Sequence, residues 1–250
     1  MEKIIDFFEK QFPSSKAAEW DNVGHLINIS GIEIKNVLLT IDLTENVLDE
    51  AIEKKIDLII TYHPVIFTPL TQISSFYTKI ILNGINVYTF HTSADSFMSR
   101  MFLNEIFDNK LDEGKAINPF SIDNEFIAYC KNNKQLSVQK LANCIKQYCE
   151  IEYIRVAYAE NQTPESVIKD VYFGCGSAKF SNIKNSLIIA GEMSHHFILK
   201  ELKEKNTVML LEHCQSERWF LMHLKMMLEK SVKDLKFEIS EKNKGPLKLI

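Results

Sequence analysis

The sequence has little glycine or proline, no excess of positive charge and no long apolar run. Eight glycines and six prolines in 250 residues leave few places for flexible linkers. The net charge of -4 disfavours direct nucleic-acid binding through a basic stripe. No apolar run could span a membrane, and the charged N-terminus lacks the apolar core of a secretory signal. We therefore expect a cytoplasmic location, with the nucleus as an alternative.

The usual motifs of disulfide, zinc-ribbon and phosphate-binding proteins are also missing. The five cysteines are an odd number and form no C-x-x-C pair, which argues against a disulfide framework or a zinc ribbon. The segment FGCGS (173–177) does not match a phosphate-binding loop, so a tight turn is the better interpretation, and Cys175 could be exposed at a site wall. No G-x-S-x-G motif indicates a serine hydrolase.

Apolar runs and helical patterns alternate along the chain, which is typical of an α/β fold with mostly parallel sheets and helices on the faces. A pattern of strand, helix and strand occurs twice in the chain. It first runs from the apolar segment before HP (63–64) to VYTFHTSAD (87–95), and its second copy ends at VMLLEHCQSER (208–218). This internal similarity predicts two related α/β lobes. The expected domains, together one compact unit, are a first lobe at 1–112, a central strand-helix-strand segment at 113–165 and a second lobe at 166–250.

Ionisable side chains follow the predicted strands. In open α/β sheets ligands bind beyond the carboxyl ends of the strands, so these residues are expected to meet in a cleft between the lobes. Neutral imidazoles and carboxylates together suit Zn, Mn or Fe(II) better than a thiolate site would. The residues are His63, His91, Asp95, Glu192, His195, His196, His213 and Glu217.

Each of these signals alone has a simpler explanation. A His-Pro pair after a strand is usually a turn, His213 and Glu217 four apart are usually a solvated helix pair, and His195-His196 could lie on the surface. Only their joint placement at strand ends favours metal binding. His25 and His223 lack this setting and are expected to be structural or solvated, and Trp20 is most simply a core residue.

Ordered motifs along nearly the whole chain resemble the NGG-one-interacting-factor-three family, also labelled GTP cyclohydrolase I type 2 homologues. The resemblance is strongest to the eukaryotic branch, through the Tyr-His-Pro form, GEMSHH and the GPL ending. The motifs are WDNVG (20–24), DLTENV (42–47), DLIITYHPVIF (57–67), HTSAD (91–95), GEMSHH (191–196), HCQSERWFL (213–221) and GPLKLI (245–250).

The resemblance implies a ring-shaped homohexamer with one or two divalent metal ions per subunit. It implies that His63, Asp95 and Glu217 bind the first ion, and that His213 and a shared Glu217 bind the second. The second site normally includes another histidine, and Tyr62 stands in its place.

Two functions are compatible with these features. The first is a metal-dependent hydrolase of the GTP cyclohydrolase I type 2 kind, acting on a nucleotide or cyclic amide, with Glu192, His91 or His195 moving protons. The second is a non-enzymatic, metal-holding oligomer that acts through protein partners, including transcription-related ones. A third alternative is a structural oligomer in which the polar side chains only provide hydrogen-bond partners for buried groups.

Overall fold

A computed structural model describes residues 1–107 and 126–247. It contains two compact units, Met1–Ala94 with Phe220–Ile250 and Asp95–Trp219. Within the described ranges, no helix combines the length and the apolar character needed to cross a membrane. The elements in chain order are α1 (Glu2–Gln11), β1 (Gly24–Ile27), β2 (Asn36–Thr40), α2 (Glu45–Glu53), β3 (Leu58–Thr61), α3 (Ser75–Leu82), β4 (Asn86–Thr89), α4 (Asp95–Phe107), β5 (Ala128–Lys131), α5 (Val138–Cys149), β6 (Arg155–Ala157), β7 (Asp170–Gly174), β8 (Leu187–Ala190), α6 (His195–Lys203), β9 (Thr207–Leu210), α7 (Gln215–Arg218), α8 (Phe220–Ser231) and β10 (Lys236–Ile239).

The first unit is built on a sheet in the order β1-β4-β3-β2-β10. Strands β10, β2, β3 and β4 are parallel, and β1 closes one edge in the antiparallel direction. The row Leu38, Ile59 and Val87 packs in one core cluster with residues of α2 and α3. Alternate residues face the other way, where the ring of Phe8 in α1 contacts Tyr88 at 4.8 Å. Both faces are covered, as expected for parallel strands that are apolar throughout.

The second unit repeats this plan with the order β5-β7-β8-β9-β6. Strands β7, β8 and β9 are parallel, and the edge strands β5 and β6 are antiparallel. Helix α4 stacks the ring of Phe102 on Phe173 of β7 at 3.9 Å. Helix α5 is capped by Ser137, whose Oγ accepts a hydrogen bond from the Lys140 amide.

The predicted α/β class with two related, mostly parallel sheets is confirmed. The division of the chain is different from the predicted lobes, because α8 and β10 belong to the first unit and the segment from β5 to β6 belongs to the second. Strand β10 was not predicted from the sequence. The predicted lobe boundary after residue 112 and the end of GPLKLI lie outside the described residues.

Candidate metal centre

In the first unit, His63 lies just beyond the carboxyl end of β3. Its amide donates to the Ile41 carbonyl, which continues the ladder between β2 and β3 and fixes the backbone at this point. Its ring Nδ1 lies 2.8 Å from Oδ1 of Asp42, which follows the neighbouring strand β2. The order of the parallel strands therefore brings a carboxylate and an imidazole together from sequence positions 21 residues apart.

His91 occupies the equivalent position after β4 and has the same kind of partner. Its Nδ1 lies 2.7 Å from Oδ1 of Asp21, whose side chain is fully buried. Asp21 also accepts hydrogen bonds from the amide and hydroxyl of Thr92. Burial alone would raise the pKa of Asp21, but the hydrogen bonds from His91 and Thr92 outweigh it and lower the pKa below its usual value. Asp21 is therefore a carboxylate that holds the His91 ring in place.

The ring of Tyr62 contacts the rings of both His63 and His91. The ring centroids of His63 and His91 are 5.3 Å apart, and Tyr62 contacts both, at 5.0 and 5.3 Å. Tyr62 is buried. Trp20, by contrast, is 62% exposed and contacts Phe67 and His91, so the prediction that Trp20 is a core residue is wrong. The sequence around Trp20 does not distinguish a buried aromatic side chain from an exposed one.

In the second unit, His213 lies between two carboxylates. Its Nδ1 is 3.0 Å from Oε1 of Glu192, which follows β8, and its Nε2 is 3.3 Å from Oε1 of Glu217 in α7. Glu217 is only 2% exposed, whereas Glu192 is 53% exposed. Ser216 fixes the turn, since its hydroxyl donates to the His213 carbonyl at 2.7 Å and accepts from the Gly176 amide at 2.9 Å.

Gly176 has no side chain, and the side chains of His213 and Glu217 occupy the space beside it. A Cβ atom at this position would lie 2.6 Å from Oε1 of Glu217 and 3.1 Å from Nε2 of His213. Its φ of +55° also lies in the left-handed region that favours glycine. The FGCGS segment is therefore the tight turn that the sequence indicates, and its second glycine brings bare backbone against the two candidate ligand atoms.

Two carboxylates influence the ionisation of the Cys175 thiol. They belong to Asp95, the first residue of α4, and to Glu217. Burial, and then these two carboxylates, raise the pKa of Cys175 well above its usual value. The thiol is buried, so the expectation that Cys175 could be exposed at a site wall is wrong. A protonated, buried thiol is a poor ligand, and the donors grouped here are imidazole and carboxylate.

The remaining predicted residues lie in simpler settings. His195 and His196 are exposed at the start of α6, and their rings contact each other at 5.5 Å. His25 hydrogen bonds to Asn86 through Nε2 at 3.0 Å, which agrees with a structural role. A cavity of about 410 Å³ lies beside Glu192, with Lys179, Phe180, Met193 and Phe197 among its lining residues.

The pairs formed by the histidines suit a metal ion. A carboxylate can only accept a hydrogen bond, so Nδ1 of His63, His91 and His213 must carry the proton. In the neutral imidazole this leaves the lone pair on Nε2, which is the arrangement found in histidines that ligate metals. At His213, Nε2 faces the Glu217 carboxylate at 3.3 Å, a distance that requires either a proton or a metal ion between the two atoms.

The sequence analysis assigned no role to Asp21 or Asp42, and it interpreted the segment of Gly176 only as a tight turn. The motifs WDNVG and DLTENV contain the two aspartates, so the signal was present as part of the resemblance. Their partners are 70 and 21 residues away, and pairing over such distances depends on the order of the strands.

Known proteins resemble this chain over its whole length. The family described as Duf34/NIF3 (NGG1p interacting factor 3) matches residues 1–246. NIF3-like protein 1 of Drosophila melanogaster is 36% identical over 262 residues, which cover 98% of this chain and 87% of that protein. A GTP cyclohydrolase 1 type 2 homolog of Campylobacter jejuni is 26% identical, with coverages of 96% and 94%. The crystal structure of a Bacillus cereus protein related to NIF3 shares the fold, with a TM-score of 0.78 at 16% identity and coverages of 100% and 98%. Because the family match spans nearly all of the sequence, this chain belongs to the Duf34/NIF3 family.

Proposed function

We propose that this protein binds a divalent cation through His63, Asp95, His213 and Glu217. The observation that carries the proposal is the 3.3 Å approach of Nε2 of His213 to the buried Glu217 carboxylate, with Nδ1 of the same ring held by Glu192. A cation between these atoms removes the repulsion of the two acceptors and neutralises a carboxylate that is shielded from water.

The donor set favours Zn, Mn or Fe. Imidazole nitrogen and carboxylate oxygen suit these ions, whereas the nearby thiol of Cys175 is held in its protonated form. His63 contributes a second imidazole whose Nδ1 is engaged by a carboxylate. One ion per chain is the basic stoichiometry, and a second ion is the alternative that the sequence resemblance raises.

Elemental analysis of protein purified without added metal tests this proposal. We expect about one ion per chain, removed by a chelator and restored by added Zn²⁺ or Mn²⁺. His213→Ala and His63→Ala should lower the metal content, whereas His25→Ala, which removes the histidine bonded to Asn86, should not. A wild-type chain that takes up no divalent ion after purification and reloading would refute the proposal.

We infer that the reaction is a metal-dependent hydrolysis of a small molecule. A bound cation lowers the pKa of a coordinated water towards neutrality. His91, held at Nδ1 by Asp21, can accept and return a proton at Nε2. The cavity of about 410 Å³ beside Glu192 is within the size range of small-molecule sites. His195 and Glu192 are the other candidates for proton transfer.

The relative named GTP cyclohydrolase 1 type 2 homolog directs the first substrate screen to nucleotides and cyclic amides. The metal-loaded protein should convert one of these compounds, and His63→Ala or a chelator should abolish the activity. Turnover that persists after both treatments would contradict a metal-dependent reaction.

The alternative is a metal-holding homo-oligomer that acts through protein partners in the cytoplasm or nucleus. The family description, which names an interacting factor, favours this alternative. Full metal content without turnover in a broad screen would support it. Light scattering during size-exclusion chromatography tests the proposed hexamer, which would have six times the 28.9 kDa mass of one chain.

A further inference from the structure

Two carboxylates occupy equivalent positions in the two units. Asp42 follows β2 and meets a histidine that follows the adjacent strand β3. Glu192 follows β8 and meets a histidine that follows the adjacent strand β9. In both units the acid lies at the end of one parallel strand and its imidazole at the end of the next. The same pairing therefore occurs twice in two separate sheets, which favours a shared purpose over a chance surface contact.

The pairing determines which ring nitrogen carries the proton. Oδ1 of Asp42 lies 2.8 Å from Nδ1 of His63, and Oε1 of Glu192 lies 3.0 Å from Nδ1 of His213. Both distances fit a hydrogen bond that the ring donates and the carboxylate accepts. Each bond holds the proton on Nδ1, directs the Nε2 lone pair away from the carboxylate and limits rotation of the ring.

We propose that Asp42 and Glu192 are positioning residues that present Nε2 of His63 and His213 to the cation. This inference rests on the proposed function, since it concerns how the same cation is bound. The positioning role of Glu192 differs from the proton transfer that the sequence predicts for this residue. Both acids are partly exposed, Asp42 at 39% and Glu192 at 53%, so neither pair contributes much to folding. Their main effect is therefore on the affinity for metal.

Calorimetric titration of the metal-free, full-length chain with Zn²⁺ and with Mn²⁺ measures that effect. Asp42→Asn and Glu192→Gln keep the size of each side chain and remove its charge. Each substitution should weaken binding by about tenfold, the lower end of the range for such partners of metal ligands, because solvent screens both pairs. The matched controls are Asp49→Asn and Glu204→Gln, which neutralise exposed acids paired with Lys79 and Lys184. The controls should leave the affinity unchanged.

Nitrogen-15 NMR of histidine side chains in the metal-free chain at pH 8 gives a second, independent readout. The wild type should show the Nδ1-protonated form for His63 and His213. Asp42→Asn should shift this equilibrium for His63 only, and Glu192→Gln for His213 only. A merely structural role would leave the ring proton in place, and the two variants lie in different units, so each tests the inference by itself.

The outcomes separate this inference from the proposed function. A wild-type chain that binds no cation refutes the proposed function, and unchanged ring protonation in both variants refutes the positioning role. Metal binding by both variants at wild-type affinity also overturns the inference while leaving the cation site intact. Weaker binding together with the residue-specific proton shift supports it.

Discussion

The most direct test of the candidate metal centre is the substitution Gly176→Ala. The added Cβ would lie 2.6 Å from Oε1 of Glu217, and ordinary van der Waals contact begins at 3.4 Å. The carboxylate or the turn must therefore move by about 0.8 Å, the difference between these two distances. Metal-ligand distances tolerate changes of only about 0.2 Å. We expect the variant to lose most of its affinity for Zn²⁺ and Mn²⁺, at least tenfold, as measured by calorimetry.

Gly31→Ala is the matched control for the backbone. Gly31 also has a positive φ, +80°, but a Cβ at this position meets nothing within 4 Å. Both substitutions should destabilise the fold by about 1–2 kcal/mol, the cost of a left-handed backbone for alanine. Only Gly176→Ala should weaken metal binding. Equal affinities for the two variants would refute the view that bare backbone at Gly176 makes room for the ligand atoms.

Three further predictions concern stability. Although burial would raise the pKa of Glu50, hydrogen bonds from Lys54 and from the segment at Ser240 outweigh it and lower the pKa to about 2. This stabilisation is present above the unfolded-state pKa of 4.5 and is lost as the pH falls towards 2. Glu50→Gln should therefore lower the free energy of unfolding by about 2–3 kcal/mol at pH 7 and weaken its dependence on pH below 4.5, as measured by urea denaturation at several pH values. An unchanged pH dependence would contradict this. Ser216→Ala should cost about 1–3 kcal/mol in the same assay, because it leaves the buried Gly176 amide without its acceptor, and a cost near zero would exclude that role. Zn²⁺ at 100 times its dissociation constant should stabilise the wild type by about 2.7 kcal/mol in thermal unfolding, and a similar gain in His63→Ala would argue against that ligand.

The fold was largely predictable because its central strands are local signals. Runs such as LIIT in β3 and LIIA in β8 are apolar at nearly every position. This pattern is typical of a strand that is covered on both faces. Thr44 and Ser137, which cap α2 and α5, are residue types that favour the N-cap position, so such caps can be recognised locally in a sequence. Strand β10 was not, since KFEI is short, lies at a sheet edge and is only partly buried.

The positions of the candidate ligands at strand ends could be predicted from the sequence, but most of their hydrogen-bond partners could not. His63 and His213 follow apolar strands, so their position at a strand end could be read from the sequence. Asp21, Asp42 and Gly176 act across the sheet, on neighbours that are remote in the chain. Their roles depend on strand order and on distances of a few ångströms, neither of which a hydrophobic pattern contains.

The parallel pairing of β10 with β2 has a consequence for synthesis on the ribosome. Strand β2 leaves the ribosome early, but the strand that covers its edge ends roughly 200 residues later, after the whole second unit. At typical rates of 5–20 residues per second the delay is roughly 10–40 s. During that interval the nascent chain carries an uncovered apolar strand edge, which is a site for wrong pairing and for chaperone binding. The first unit to be translated is therefore the last to finish folding.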